Sequence, residues 1–285
     1  MLLLRGSNRL FAPIEIRGLM FLACILAIAG FAKADDLSDR REAAAQRLAN
    51  EIARSAVHRI YVPDFTDVSG EHVVLGRFLA ATFSTLLHDN AKGFAVANRI
   101  DAHRYLAESG RTDRDLSAIE ALAKLVSDLG ADAILWGTVW VNQDAVTIDF
   151  SLRDTSGKEL LKSRYEENFN VSDRDEFEAD RSDSYFAGLD GVTVPKCLYC
   201  PVPPYPIGQG SPKHDGVVHL YVLVTIEGKA AEIRVTKSLD PAFDRAAIEG
   251  VRSWRFEPAK DPDGKVIPVR MPIEVTYKQR WRPYP

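Results

Sequence analysis

Five prolines fall within the twelve residues 195–206, PKCLYCPVPPYP, and this stretch limits the fold more than any other. Each proline fixes φ and lacks an N–H, so no regular helix runs through the segment or along its flanks. The chain of 285 residues therefore reads as two folded units separated by a stapled hinge. An acidic, aliphatic-poor run without periodicity, NVSDRDEFEADRSDSYFAGLD at 170–190, leads into the hinge and reads as a solvated tether. A composition of 46% hydrophobic and 27% charged residues suits globular units on both sides.

The hinge carries Cys197 and Cys200, a spacing shared by disulfides, redox pairs and metal sites. A redox pair wants its first thiol at the start of a helix that follows a strand, and the flanking prolines oppose that. A structural zinc needs four ligands, and the nearest histidine, His214, stands alone. The compartment bears on the choice. Arg5, Arg9 and Arg17 precede the apolar run GLMFLACILAIAGFA at 18–32, which ends in Ala32-Lys33-Ala34. That run is shorter than the roughly twenty residues of a spanning helix, and with its small-x-small ending it reads as a signal peptide, residues 1–34. Cleavage between Ala34 and Asp35 would deliver the protein to the periplasm. A retained segment would instead anchor residues 18–32 in the inner membrane, and Cys24 after Phe21-Leu22-Ala23 makes only a loose lipidation signal. Cleavage removes four basic residues and one acidic residue, taking the formal charge from −4 to −7, which argues against a nucleic-acid partner. It also leaves Cys197 and Cys200 as an even pair in an oxidising compartment, which favours a disulfide.

Periodicity divides the first unit, residues 35–169. Leu37, Ala44, Leu48, Ile52 and Ala56 mark a helix over 35–57, and a short strand follows at 59–62. TDVSGEH at 66–72 is a turn, and Leu75, Phe78, Leu79, Thr82, Phe83 and Leu86 mark a second helix over 74–87. A strand is expected at 94–97 and a helix over 115–129, closed by Gly130 at its C′ position. AILWGTVWV at 133–141 and AVTIDFSL at 145–152 form a hairpin, with a third strand over 160–169. Trp136 and Trp140 share one strand face and read as core.

The second unit, residues 203–285, follows a linker of residues 170–202 that is first acidic and then rich in proline and cysteine. Val218, Leu220, Val222, Val224 and Ile226 alternate along one strand, Glu227-Gly228 turns the chain, and 231–236 returns. Asp240 and Pro241 supply an N-cap and a proline at N1 for a helix reaching about residue 253. Gly250 costs that helix about 1 kcal/mol against alanine, so it signals close approach to the sheet. IPVRMPIEVTY at 267–277 closes a β-β-α-β unit whose core is Val222, Val224, Val235, Phe243, Val251, Trp254 and Ile273. Pro268 and Pro272 lack donors on the same side of that strand, which reads as an edge. The outward backbone is intact only from Glu274 onward. The whole chain is thus expected to be α+β: an N-terminal α/β domain with a mixed sheet and packed helices, then a small β-β-α-β domain.

Residues 203–277 resemble the TonB C-terminal domain family. The matching pieces are Pro203-Pro204-Tyr205-Pro206, GVVHLYVLVTIEGKAAEIRVTKS, LDPAFDRAAIEGVRSWRFEPA over 239–259, and Pro268-Val269 through IEVTY. The resemblance implies a periplasmic module of an energy transducer in transmembrane transport, which binds an extended receptor segment as an added strand. Combined with the backbone left intact after Pro272, it puts the expected partner contacts on Glu274, Val275, Thr276 and Tyr277, with Tyr205 and Pro206 alongside, and it implies protein partners in the cell envelope, such as an outer-membrane receptor. The long Pro/Lys-rich spacer of a full transducer is absent here, and the amino-terminal segment lacks polar residues for contacting a motor. Residues 58–165 resemble the amino-terminal domain of TolB and its FlgO- and CsgG-like relatives, through IYVPDFTDVSG at 60–70 and LGADAILWGTVWVNQDAVTIDFSLRDTSGKEL. That resemblance implies an assembly module of the envelope.

The remaining histidines, His58, His72, His88, His103 and His219, show no ligand spacing and no nucleophile motif, so neither a cofactor, a metal nor a catalytic residue is expected. Three function classes follow: a non-enzymatic adaptor that binds an extended partner, a thiol oxidoreductase using Cys197, and a purely structural envelope protein.

Overall fold

A computed structural model describes residues 34–111, 124, 126–142, 145–168, 184–206 and 215–278. The apolar segment 18–32 and most of the helix expected over 115–129 lie outside these residues. Among the described residues no helix is long and apolar enough to cross a membrane.

In the first unit, β1 (Arg59–Tyr61) lies between β3 (Ala95–Val96) and β4 (Ala133–Val141), parallel to both. The short β2 (Thr66–Asp67) also runs parallel to β4, while β5 (Ala145–Asp154) and β6 (Glu159–Asn168) continue as an antiparallel meander. This is the mixed sheet expected. On one face lie α1 (Ala34–Ile52) and α2 (Val74–Asn90). Leu48 and Ile52 of α1, and Leu75, Leu79, Phe83 and Leu87 of α2, recur at helical spacing and are buried against the alternate residues Leu135, Val139, Val146, Ile148 and Leu152 of the strands. Phe150 receives the edges of Phe65 and Phe83 at centroid distances of 5.8 and 4.9 Å. Inside this layer Arg41 and Glu167 pair at 2.6 Å, and Tyr165 donates to the same carboxylate at 2.8 Å, so the buried charges satisfy one another.

The opposite face carries α3 (Arg99–Glu108), a helix the periodicity did not reveal. Only Ile100, Ala102 and Leu106 make its apolar stripe, and its start is set by Asn98, whose side chain accepts from the N–H of Ile100 at 2.8 Å. Of the 115–129 helix, residues 126–128 are described as helical and Val126 is buried. Its end is a Schellman closure, with Gly130 at φ +62° donating to Ser127 and Ala131 donating to Val126. Trp136 packs beside this cluster, but Trp140 is 47% exposed, because β4 runs beyond the end of β2 and nothing described covers its last residues. The reading of Trp140 as core is corrected accordingly.

The second unit contains β9 (Gly216–Val224), β10 (Ala230–Lys237), α4 (Pro241–Arg252) and β12 (Val269–Tyr277). Asp240 caps α4 by accepting from Ala242 N–H at 2.8 Å, with Pro241 at the start, as the sequence implied. Phe243, Ala247 and Val251 repeat every four residues and are wholly buried against Val218, Leu220, Val222 and Val224. Gly250, however, approaches Pro203 and not the sheet: a Cβ there would stand 2.5 Å from the proline Cγ. Trp254 fixes the same hinge by donating its indole N–H to the Pro201 carbonyl at 2.9 Å.

The segment between the units is not a solvated tether from residue 184 on. β7 (Tyr185–Phe186) joins the C-terminal sheet beside β12, giving the order β10-β9-β12-β7, and β8 (Lys196–Tyr199) pairs with β11 (Arg255–Glu257). Phe186 meets Phe78 of α2 edge-on at 5.4 Å, and Arg99 of α3 bonds Asp190 at 3.0 Å, together with Asp64 and the Val62 carbonyl. Arg104 reaches Asp261 at 3.0 Å and Asp263 at 2.8 Å, and Ile100 enters the C-terminal core. The acidic character of 170–190 concealed this, since the buried apolar members among its described residues, Phe186 and Leu189, are single residues without a period.

Candidate partner-binding edge

β12 pairs with β9 in an unbroken antiparallel register from Val269↔Val224 to Tyr277↔Gly216. On its other side the N–H groups of Tyr185 and Ala187 bond the carbonyls of Pro268 and Arg270 at 3.2 and 3.0 Å. Those two bonds fix the parity of the strand: even-numbered residues turn their backbone outward and odd-numbered residues turn theirs to β9. The outward groups past β7 are therefore the Pro272 carbonyl and both groups of Glu274 and Thr276. Among the described residues no strand pairs with them.

The six predicted contact residues divide accordingly. Glu274 and Thr276 are exposed and present outward backbone. Val275 and Tyr277 are 3% and 2% exposed; their side chains belong to the core and their backbone to β9, so neither offers a partner its backbone groups. Tyr205 is brought to the same place by packing its ring edge-on against Phe243 at 5.1 Å and Tyr277 at 6.2 Å, and half-buried Pro206 follows it. Tyr277 completes the aromatic group, lying 4.9 Å from Phe243 and donating its hydroxyl to that residue's carbonyl at 3.3 Å. Burial, with the charge of Asp244 adding to it, pushes the Tyr277 hydroxyl up to about 12. Across the strand pair His219 Nδ1 stands 3.5 Å from Glu274 Oε1, a cross-strand contact on the face away from α4.

The far edge of this sheet is a poor alternative. β10 pairs with β9 through two register shifts, between Ala231 and Arg234 and between Val235 and Lys237, and Glu232 sits at φ +42°. Such bulges twist an edge away from further pairing. β12 has no such break.

A family model described as the Gram-negative bacterial TonB protein C-terminal matches residues 201–279. Residues 201–279 form a TonB C-terminal domain. Over 67 residues the chain is 40% identical to Protein tonB2 of Pseudomonas aeruginosa, which is 23% of this chain and 25% of that protein, so the chain spans about a quarter of that relative's length. Among solved structures it is similar to the Pseudomonas aeruginosa TonB CTD, at 26% identity and a TM-score of 0.26 over 33% of this chain and 91% of that one. It is also similar to the LpoB C-terminal domain from Salmonella enterica, at 13% identity and a TM-score of 0.37 over 45% and 98%.

Just ahead of this TonB domain the hinge cysteines are joined: Cys197 and Cys200 form a disulfide, with Cys197 in β8 opposite Phe256. The bond closes a turn between β8 and the proline run that Trp254 and Gly250 hold against α4. Around it Leu198, Tyr199 and Val202 are exposed. Among the described residues no group of three or more His, Cys, Asp or Glu side chains is arranged to hold a metal. Sequence reasoning missed β7, the element that divides the edge. Its only signal was the aromatic pair Tyr185-Phe186 within an acidic run, followed by Gly188.

Proposed function

We propose that this chain is a non-enzymatic adaptor of the periplasm that couples to other envelope proteins, an outer-membrane receptor foremost, through strand addition at the outer edge of β12. The observation that supports it most is the unpaired outward backbone of Glu274 and Thr276, in a strand without bulges, inside a TonB C-terminal domain. Main-chain bonds supply affinity in such an arrangement, and the side chains beside the edge supply selection: the Tyr205 ring on one face, Glu274 and His219 on the other. Residues 35–169 act in this reading as the second, assembly-type module, and the Cys197–Cys200 bond as a structural staple for the hinge.

A photocrosslinking residue placed at position 276 in cells that make the protein tests this reading. Adducts with an envelope protein at 276, and none from position 234 on the bulged β10 edge, are expected. Equal adducts from both positions, or none from 276, would contradict strand addition at β12.

A further inference from the structure

Pro268 and Pro272 leave Arg270 as the single outward donor in the first half of the β12 edge. β7 fits that gap. The ladder Val269↔Tyr185 and Arg270↔Phe186 sets the Arg270 N–H on the Tyr185 carbonyl, between the bonds that Tyr185 and Ala187 donate to Pro268 and Arg270. The next bond of a parallel pair would run from residue 272 to the carbonyl of Ala187, and Pro272 has no hydrogen to give. There the chain turns away, through Gly188 at φ +81°, Asp190 at +52° and Gly191 at +78°.

The segment is held as much by the N-terminal unit as by the sheet. Phe186 lies against Phe78, Asp190 bonds Arg99, and the Asp190 N–H reaches Thr85 Oγ1 at 2.9 Å. On the other side Arg270 Nε donates to Ser184 Oγ at 3.0 Å.

We propose that Ser184–Asp190 is an internal partner strand: it occupies the Val269–Arg270 half of the binding edge, and its release opens that half to a longer external strand while freeing the N-terminal unit's hold on the edge. This rests on reading β12 as the partner edge. Released, the edge offers an incoming chain the Pro268 carbonyl and both groups of Arg270 in addition to Glu274 and Thr276. The internal strand thus makes the length of the incoming segment matter, because only a partner reaching past Pro272 competes with it.

Residue-resolved amide exchange on the mature chain tests the device. In the wild type the amides of Ala187, Asp190 and Arg270 are expected to exchange together, about tenfold or more faster than Met271, the next residue of the same strand, whose amide faces β9. A double substitution, Phe186→Ala with Asp190→Asn, is expected to speed exchange at Ala187 and Arg270 about tenfold further while Met271 and Ile273 hold. A synthetic peptide of the chain's own sequence SYFAGLD, in excess, should then slow Arg270 exchange in the variant and leave the wild type unchanged. Equal protection of Arg270 and Met271 in the wild type, or no effect of the peptide on the variant, would overturn the proposal. Crosslinking at position 276 that persists under either result separates this failure from failure of the partner edge itself.

Discussion

The Ala187 N–H donates to the Arg270 carbonyl at 3.0 Å, and two residues further along the same side of the strand Pro272 has no N–H with which to answer. That one missing hydrogen ends β7 and begins the open edge.

Replacing Pro272 with alanine restores the donor. The variant is expected to fold and to associate with itself more than the wild type, because an uninterrupted outward backbone is a template for a second chain. Sedimentation velocity over a concentration series checks this, and unchanged monomer content would count against the blunting role of Pro272.

Gly250→Ala should lower stability, although alanine is the better helix former by about 1 kcal/mol. The added Cβ would meet Pro203 Cγ at 2.5 Å and Cβ at 2.6 Å, and the proline ring cannot rotate aside. A lowered melting temperature is the expected outcome; a raised one would mean the hinge yields freely. Ala246→Gly, on the same helix, should lower stability through propensity and the loss of a partly buried methyl, and serves as the comparison.

Cys197→Ser with Cys200→Ser should leave one cooperative unfolding transition for the C-terminal domain. The loop closed is very short, so its entropy contribution is at most about 2 kcal/mol, while Phe243, Val251, Val222 and Ile273 supply a core independent of it. Loss of cooperativity in the double variant would make the disulfide a condition of the fold.

Tyr277 links stability to alkaline pH. Its hydroxyl rises from an ordinary value near 10 to about 12 on folding, so the folded state retains the proton more firmly than the unfolded chain. The contribution is complete below about pH 10 and is lost as pH climbs toward about 12. Urea midpoints across that window should fall more steeply for the wild type than for Tyr277→Phe, and parallel curves would show that burial of this hydroxyl is not felt.

Much of the second unit was legible because each signal was strong where it occurred: alternation along Val218–Val224, a capped helix at Asp240-Pro241, and two donor-less positions in the last strand. The first unit's sheet was legible for the same reason. What escaped was anything decided by tertiary partners. α3 has three buried apolar residues, and its Arg99 is buried only because Asp64, Asp190 and the Val62 carbonyl surround it. β7 is two residues long and owes its place to Phe78 and to two prolines more than eighty residues downstream. In the candidate site parity was legible from Pro268 and Pro272, but the burial of Val275 and Tyr277 removes them from the contact surface.

The central claim is that a partner adds to β12 through the outward backbone of Glu274 and Thr276. Once crosslinking has identified the partner segment, calorimetry of that peptide against Thr276→Pro and Thr276→Ala tests the claim most directly. The proline removes one outward N–H and the alanine only an exposed side chain, so Thr276→Pro should bind at least about fivefold more weakly, the loss of one backbone hydrogen bond, with both variants folded. Equal affinity of the two variants would contradict the account.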